Sequence, residues 1–309
     1  MTSNTSTLRP ATEEIPKKRL TANEYRNLCD FINNYQGLPI DCEMELQDNF
    51  SQIQRLTLKA ILQTELTNRM RSQYWRYDAN AKKYLTRYEE LSMNSPGDSN
   101  ILLNIAREER IGPVMMCRSL LKTKYDFNSK MKLTKLMRYP HLIEDPLLSA
   151  NVAQCLCSDS QDGPLIDLKR RVLGEEYEFK LKEMANKSGM HYYDENDLRR
   201  LGYDKTPDIK MILPFLYKGE VINWIESKAN FGDIKTHKWN IQQQLNSYCN
   251  RFGAGIIIYW FGYHESTPKL PDNSIGIIVL DDFPLKSDIK FLDLSENIES
   301  DDQKVVEET

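Results

Sequence analysis

Three residues in the C-terminal half have the types and the spacing for hydrolytic chemistry. Asp208 directly follows Pro207, and Glu226 and Lys228 lie two positions apart in WIESKANFGD. Two apolar stretches, Asp208–Leu213 and Val221–Ala229, are joined at Tyr217-Lys218-Gly219-Glu220, a pattern that predicts a β-hairpin. Side chains alternate along a strand. Glu226 and Lys228 therefore project from one face with Trp224, roughly 7 Å apart along the chain, while Ser227 points the other way and Ile225 fills the core. Charges inside so apolar a strand are costly to bury unless paired or bound to a cation. Asp208 and Glu226 repel across such a hairpin, and a hard divalent cation relieves the repulsion. Mg2+, or Mn2+ in its place, suits a site of one or two carboxylates, water and substrate phosphate. Asp208, Glu226 and the backbone carbonyl of Ser227 are the expected ligands, with Lys228 placed to orient an attacking water and offset charge on the phosphate. A surface hairpin with Glu226 and Lys228 as solvated edge charges is the plainer reading; the apolar flanks and the upstream Pro-Asp weigh against it.

The elements around the hairpin supply further candidates. Val172–Lys187 reads as a helix carrying Glu175, Glu176 and Glu178 just after Gly174. A carboxylate from the preceding helix would add a further oxygen ligand to such a site. Glu178, between Tyr177 and Phe179, is the first choice as catalytic residue and metal ligand, and Glu176 the second. The helix dipole attracts acids to a helix start without any site, so this cluster has two readings. The polar helix expected over Lys238–Arg251 places Gln244 and Tyr248 on one face, able to meet the active-site strand and a phosphate. Lys235, His237 and Lys238 at its start are candidates for nucleic-acid backbone contacts, although His237 reads as an ordinary exposed histidine. With a short strand at His191–Tyr193, the β-rich run Gly255–Tyr263 and a last strand at Ile275–Leu280, the order is that of a mixed α/β sheet.

Upstream, the pattern is helical from about Thr21. Residues 21–146 are expected as one all-helical domain, 147–283 as the catalytic domain, 1–20 as a disordered N-terminus and 284–309 as a flexible acidic tail. Ile101–Arg110 and Val114–Lys124, joined by Ile111-Gly112-Pro113, suggest a helix-turn-helix with Ala106 in the first helix and Arg118, Lys122 and Lys124 on the second. Pro16-Lys17-Lys18-Arg19 resembles a short nuclear import signal. Cys155 and Cys157 form a CxC, but no second Cys/His pair lies at finger spacing, so free thiols are expected rather than a zinc site.

Composition bounds these readings. The chain has 309 residues, 40% hydrophobic and 28% charged, with a net charge of −4. That is the balance of a soluble globular protein, and no run approaches a membrane span. Ser51–Ala150 holds 17 Lys and Arg against 10 Asp and Glu, whereas Asp281–Thr309 holds 3 Lys against 10 acids. A basic middle fits a nucleic-acid face and fits equally an ordinary solvated helical surface.

Three longer stretches, LGYDKTPD, WIESKANFGD and NRFGAGIIIYWFG, resemble the codanin-interacting nuclease family of animals. The resemblance runs from about Leu147 to Leu280 and is more diffuse over the helical half. It implies a PD-(D/E)xK enzyme related to archaeal Holliday junction resolvases, with a restriction-endonuclease-like α-β-β-β-α-β core after a helix-turn-helix-like domain. It also implies a nuclear and cytoplasmic protein acting on DNA, binding a codanin-like partner, with a homodimer in keeping with two-strand cleavage of a junction. Asp208, Glu226 and Lys228 fall on the nuclease motif without substitution. The polar Met1–Leu20 segment and the acidic stretch after Phe283 depart from the family pattern. Two other readings stay open: a nuclease fold used as a partner-binding scaffold, and a plain DNA-binding factor using residues 21–150.

Overall fold

The computed structural model describes residues 16–125 and 130–291. Among the described residues, nine helices lead into the sheet: α1 (Ala22–Asn34), α2 (Pro39–Asn49), α3 (Arg55–Ala79), α4 (Ala81–Asn94), α5 (Ile101–Glu109), α6 (Pro113–Lys124), α7 (Lys130–Arg138), α8 (Pro146–Ser158) and α9 (Pro164–Lys187). Then follow β1 (Tyr192–Asp194), α10 (Glu195–Arg200), β2 (Ile209–Tyr217), β3 (Glu220–Lys228), α11 (Ile234–Asn240), α12 (Asn246–Phe252), β4 (Gly255–Tyr259), β5 (Ile277–Leu280) and β6 (Ile289–Phe291). The expected architecture, a helical N-terminal region followed by a mixed α/β sheet, is the one observed.

The sheet runs β1-β2-β3-β4-β5, with β6 also paired to β2. Strands β1, β2 and β3 are antiparallel; β3, β4 and β5 are parallel. Lys218 and Gly219 both take positive φ, 51° and 93°, and so make the two-residue turn whose twist matches the β2–β3 hairpin. A parallel strand covered on both faces is apolar throughout, and every residue of β4 is buried. Ile256 and Ile258 face the core built by α1–α3 and α9, while Ile257 and Tyr259 face the layer of α11 and α12.

The hydrophobic core spans the expected boundary at 146/147. Leu28, Ile32, Leu46, Ile61 and Leu62 pack in one cluster with Ile209, Phe215, Ile225 and Ile256. A second core, from α4 to α8, stands beside it.

Three expectations are corrected. Residues 16–20 are packed in place: Leu20 is buried and its backbone hydrogen-bonds at Tyr263 and Glu265. The basic run there is engaged, Lys17 with Glu24, Lys18 with Asp282 and Arg19 with Asp281; residues 1–15 lie outside the described residues. At the other end, Phe291, Lys290 and Ile289 pair with β2 where a flexible tail was expected; residues 292–309 lie outside the described residues. Finally, α5 and α6 form the expected helical pair, but α6 is a core helix. Val114, Met116, Cys117, Leu120 and Leu121 are buried, and Arg118, Lys122 and Lys124 are paired with Asp162, Asp78 and Glu89. A helix so enclosed presents little free surface to a DNA groove.

Candidate functional site

The antiparallel register that aligns Ile209 with Ile225 brings Asp208 opposite Glu226. The two carboxylates meet through backbone as well as charge. The Ser227 N–H donates to Asp208 Oδ2 at 2.6 Å, and the Asp208 N–H donates to Glu226 Oε2 at 3.3 Å. Lys228 Nζ lies 2.5 Å from Glu226 Oε1 and donates to Gln244 Oε1 at 2.9 Å. Ser227 points to the opposite face, where its Oγ accepts from Trp260 Nε1 at 2.8 Å. The period-two alternation of β3 thus separates the polar site from the aromatic core.

Glu226 is 3% exposed, and inside the protein its carboxylate meets the Lys228 ammonium and the Asp208 N–H. Burial, then the Glu226 charge, hold the Asp208 carboxyl well above the usual carboxylate range. Burial works against the Lys228 ammonium, but the charge and hydrogen bond of Glu226 outweigh it and raise its pKa. Lys228 supplies one positive charge against two adjacent carboxylates, which leaves the pair short of countercharge.

Glu178 on α9 is half-buried, and its pKa is raised by burial and by the charges of Glu195 and Glu226. It stands at the edge of the group, whereas Glu176 is exposed. Among the described residues no three Asp, Glu, His or Cys side chains lie close enough to enclose a metal ion by themselves. Asp208 and Glu226 therefore form a two-carboxylate pair with Glu178 as a neighbour. Such a donor set, with the Ser227 carbonyl, fits a cation that keeps part of its water shell and takes phosphate oxygens, as Mg2+ does.

Gln244 and Tyr248 are divided between two tasks. A π-helical turn, Ile241–Leu245, interrupts the helix between α11 and α12 and carries Gln244 toward Lys228. Tyr248 is 1% exposed, and its hydroxyl donates to the Thr206 carbonyl at 2.7 Å. It braces the Thr206-Pro207-Asp208 turn instead of presenting a hydroxyl to solvent. The same loop is tied down by Lys205 Nζ on the Gln243 carbonyl (2.8 Å) and by Arg251 on the Lys205 carbonyl (3.1 Å).

His237, expected to be exposed, is fully buried, with Nδ1 2.8 Å from the Tyr259 hydroxyl and Nε2 2.7 Å from Asn273 Oδ1. Asp233 caps α11 and turns the chain so that His237 faces inward. Lys235 and Lys238 remain on the surface, Lys238 within 3.8 Å of Asp272. Sequence reading missed Glu195, which sits near Glu178 and within 3.5 Å of the Thr206 hydroxyl. No local pattern marks it, because α10 reaches the site only through the fold. Cys155 is buried and Cys157 exposed, and both thiols are free.

Comparison with known proteins gives the site a context. Residues 144–283 match the family model described as "Protein of unknown function TPD sequence-motif", a span that includes Thr206-Pro207-Asp208. The chain is 32% identical over 279 residues to a Danio rerio protein named CDAN1-interacting nuclease 1, covering 88% of this chain and 92% of the relative. It is 34% identical over 273 residues to the Xenopus tropicalis protein of that name, covering 86% and 88%. Against the Homo sapiens protein it is 32% identical over 226 residues, covering 71% and 80%. No solved structure matches the chain.

Proposed function

Because the chain belongs to the CDAN1-interacting nuclease 1 family, we propose that it is a metal-dependent nuclease of the PD-(D/E)xK type that hydrolyses phosphodiester bonds in DNA and binds a CDAN1-type partner. The observation that carries this reading is the pairing of Asp208 and Glu226 across the hairpin, with Lys228 2.5 Å from Glu226. Asp208, Glu226 and the Ser227 carbonyl would hold Mg2+ or Mn2+, with Glu178 alongside. A bound divalent cation lowers the pKa of water and offsets charge on the phosphate.

The chain's own groups do the positioning. The Ser227 N–H fixes Asp208, Gln244 fixes the Lys228 ammonium beside Glu226, and Tyr248 fixes the turn that carries Asp208. With its ammonium held at the edge of the carboxylate pair, Lys228 orients the attacking water and meets negative charge as it develops on the phosphate. Branched DNA, a homodimer able to cut both strands, and residence in nucleus and cytoplasm belong to the same reading.

The test is a nuclease assay with linear, branched and single-stranded DNA and with RNA, in Mg2+, Mn2+ and EDTA, wild type beside Glu226→Ala and Lys228→Ala. Cleavage that needs the metal and is lost in both variants is the expected result. A wild-type protein inert on every substrate overturns the enzymatic reading and leaves the fold as a binding scaffold.

A further inference from the structure

The N-terminal half of α9 leaves an apolar stripe uncovered. Leu165, Leu168 and Val172 follow helical i, i+3, i+7 spacing and are 46%, 46% and 53% exposed. Farther along, Tyr177, Leu181 and Ala185 of the same helix pack on the sheet, whereas the Leu165, Leu168 and Val172 side of its first half is left open. Leu165 and Leu168 of the stripe form one wall of a groove of about 800 Å³, with Val172 one turn beyond Leu168, and its other walls come from α7 and α8, through Met137, Arg138, Leu156 and Cys157. The surface continues over α7, where Met131 is 83% exposed.

Charge around this groove is net positive. The described part of α7 carries Lys132, Lys135 and Arg138 and no acid, and none of the three makes an ion pair with a described residue. Arg118 and Arg171 add to the rim, each near a neighbouring acid, Asp162 at 3.8 Å and Glu175 at 3.7 Å. Asp167 is the acid lining the groove and is 3.7 Å from Arg170. Cations alone would suit a phosphate backbone, but three half-exposed aliphatic side chains contribute nothing to one. An amphipathic helix with an apolar stripe and acidic flanks matches both features.

We propose that the groove between α7 and the first half of α9 is the docking surface for an acidic, amphipathic helix of the CDAN1-type partner. The assignment rests on the partner reading given above and adds where that partner binds. By helix rise, Leu168 lies about 15 Å along α9 from Glu178, so a partner in the groove sits beside the carboxylate pair without covering it.

The test measures binding of the full chain to the CDAN1-type protein of its own organism. Wild type is compared with Leu168→Glu/Val172→Glu and with Lys135→Glu/Arg138→Glu. Each double variant is expected to weaken affinity at least tenfold, and the charge-reversal loss is expected to shrink at high salt. Alkylation of Cys157, exposed in the groove, is expected to slow at least fivefold in the wild-type complex. That readout needs no variant to fold.

Wild-type binding retained by both variants, with Cys157 still reactive, overturns the groove assignment and leaves the partner reading standing. A wild-type chain that does not bind overturns the partner reading and the groove with it. If Leu168→Glu/Val172→Glu instead breaks a dimer of this chain, the occupant is a second copy. If removing residues 292–309 exposes Cys157 in the free protein, it is the chain's own acidic end. Either result overturns the proposal.

Discussion

The Tyr248 hydroxyl donates to the Thr206 carbonyl at 2.7 Å, linking two buried residues 42 apart in sequence. That carbonyl lies two residues before Asp208, so the bond sets the direction from which the carboxylate enters the site. Tyr248→Phe keeps the ring against Trp224 but leaves a buried acceptor unpaired, at a cost of about 1–2 kcal/mol. The turn loosens, and cleavage is expected to fall on the order of tenfold while metal dependence persists. Chemical denaturation and single-turnover rates check the two effects. A variant with unchanged rate would show that the turn is held by its other ties.

Asp208 and Glu226 oppose each other with one lysine, Lys228, against Glu226. Asp208→Asn retains an oxygen to accept the Ser227 N–H and removes one negative charge. In EDTA the variant is expected to be more stable than wild type by on the order of 1 kcal/mol, the scale of a charge–charge contact in a partly solvated site. It is also expected to lose cleavage by about a hundredfold or more. Thermal melts with and without Mg2+ separate the outcomes, because added metal should raise the wild-type midpoint and leave that of the variant nearly still. A variant less stable than wild type in EDTA would mean that the pair is not repulsive.

The hairpin was legible because its information is local. Period-two alternation put Glu226 and Lys228 on one face, and Lys218-Gly219 marked the turn. The strands run somewhat longer than the apolar runs, and α9 starts at Pro164 instead of Val172, because packing extends elements past their patterned segments. What could not be read depends on long-range placement. Nothing near Glu195 announces that α10 delivers it to Glu178. The basic side chains of α6 look like a DNA-reading face until Asp78, Glu89 and Asp162 arrive from elsewhere in the chain. The polar segment before Thr21 looked free because Lys18 and Arg19 meet Asp282 and Asp281 only through the fold.

Gly262 shows how closely that N-terminal segment is fitted. Its φ is +86°, and a Cβ there would stand 1.9 Å from the Lys18 carbonyl oxygen. Gly262→Ala therefore combines an unfavourable backbone conformation with a backbone clash, and a loss of about 2–4 kcal/mol is expected. Hydrogen exchange should locate the damage, with faster exchange at the Leu20 amide, which bonds to the Tyr263 carbonyl. Exchange unchanged at that amide would mean that residues 16–20 do not need this close approach.

His237 makes stability depend on pH in a definite direction. Asn240 Nδ2 donates to the Tyr259 hydroxyl at 2.9 Å, and that hydroxyl lies 2.8 Å from His237 Nδ1. On the other side of the ring, Nε2 faces the acceptor Asn273 Oδ1 at 2.7 Å. A neutral ring satisfies this arrangement, donating from Nε2 and accepting at Nδ1. A second proton on Nδ1 would turn an acceptor into a donor against a hydroxyl already pointed at it. Burial depresses the His237 pKa, and the hydrogen bond to Asn273 with the charges of Asp272 and Asp233 opposes it only in part. As pH falls below the ordinary histidine value of about 6.5, the unfolded chain takes up a proton that the folded chain refuses. The contribution is present above that value and lost as pH drops toward the lowered folded pKa. His237→Gln removes the titration, so its denaturation midpoint should vary less between pH 7.5 and 5 (on the order of half the wild-type change). The variant should be less stable than wild type at the upper pH, having lost a ring bonded on both sides, and identical pH slopes would show that His237 is not the group that titrates.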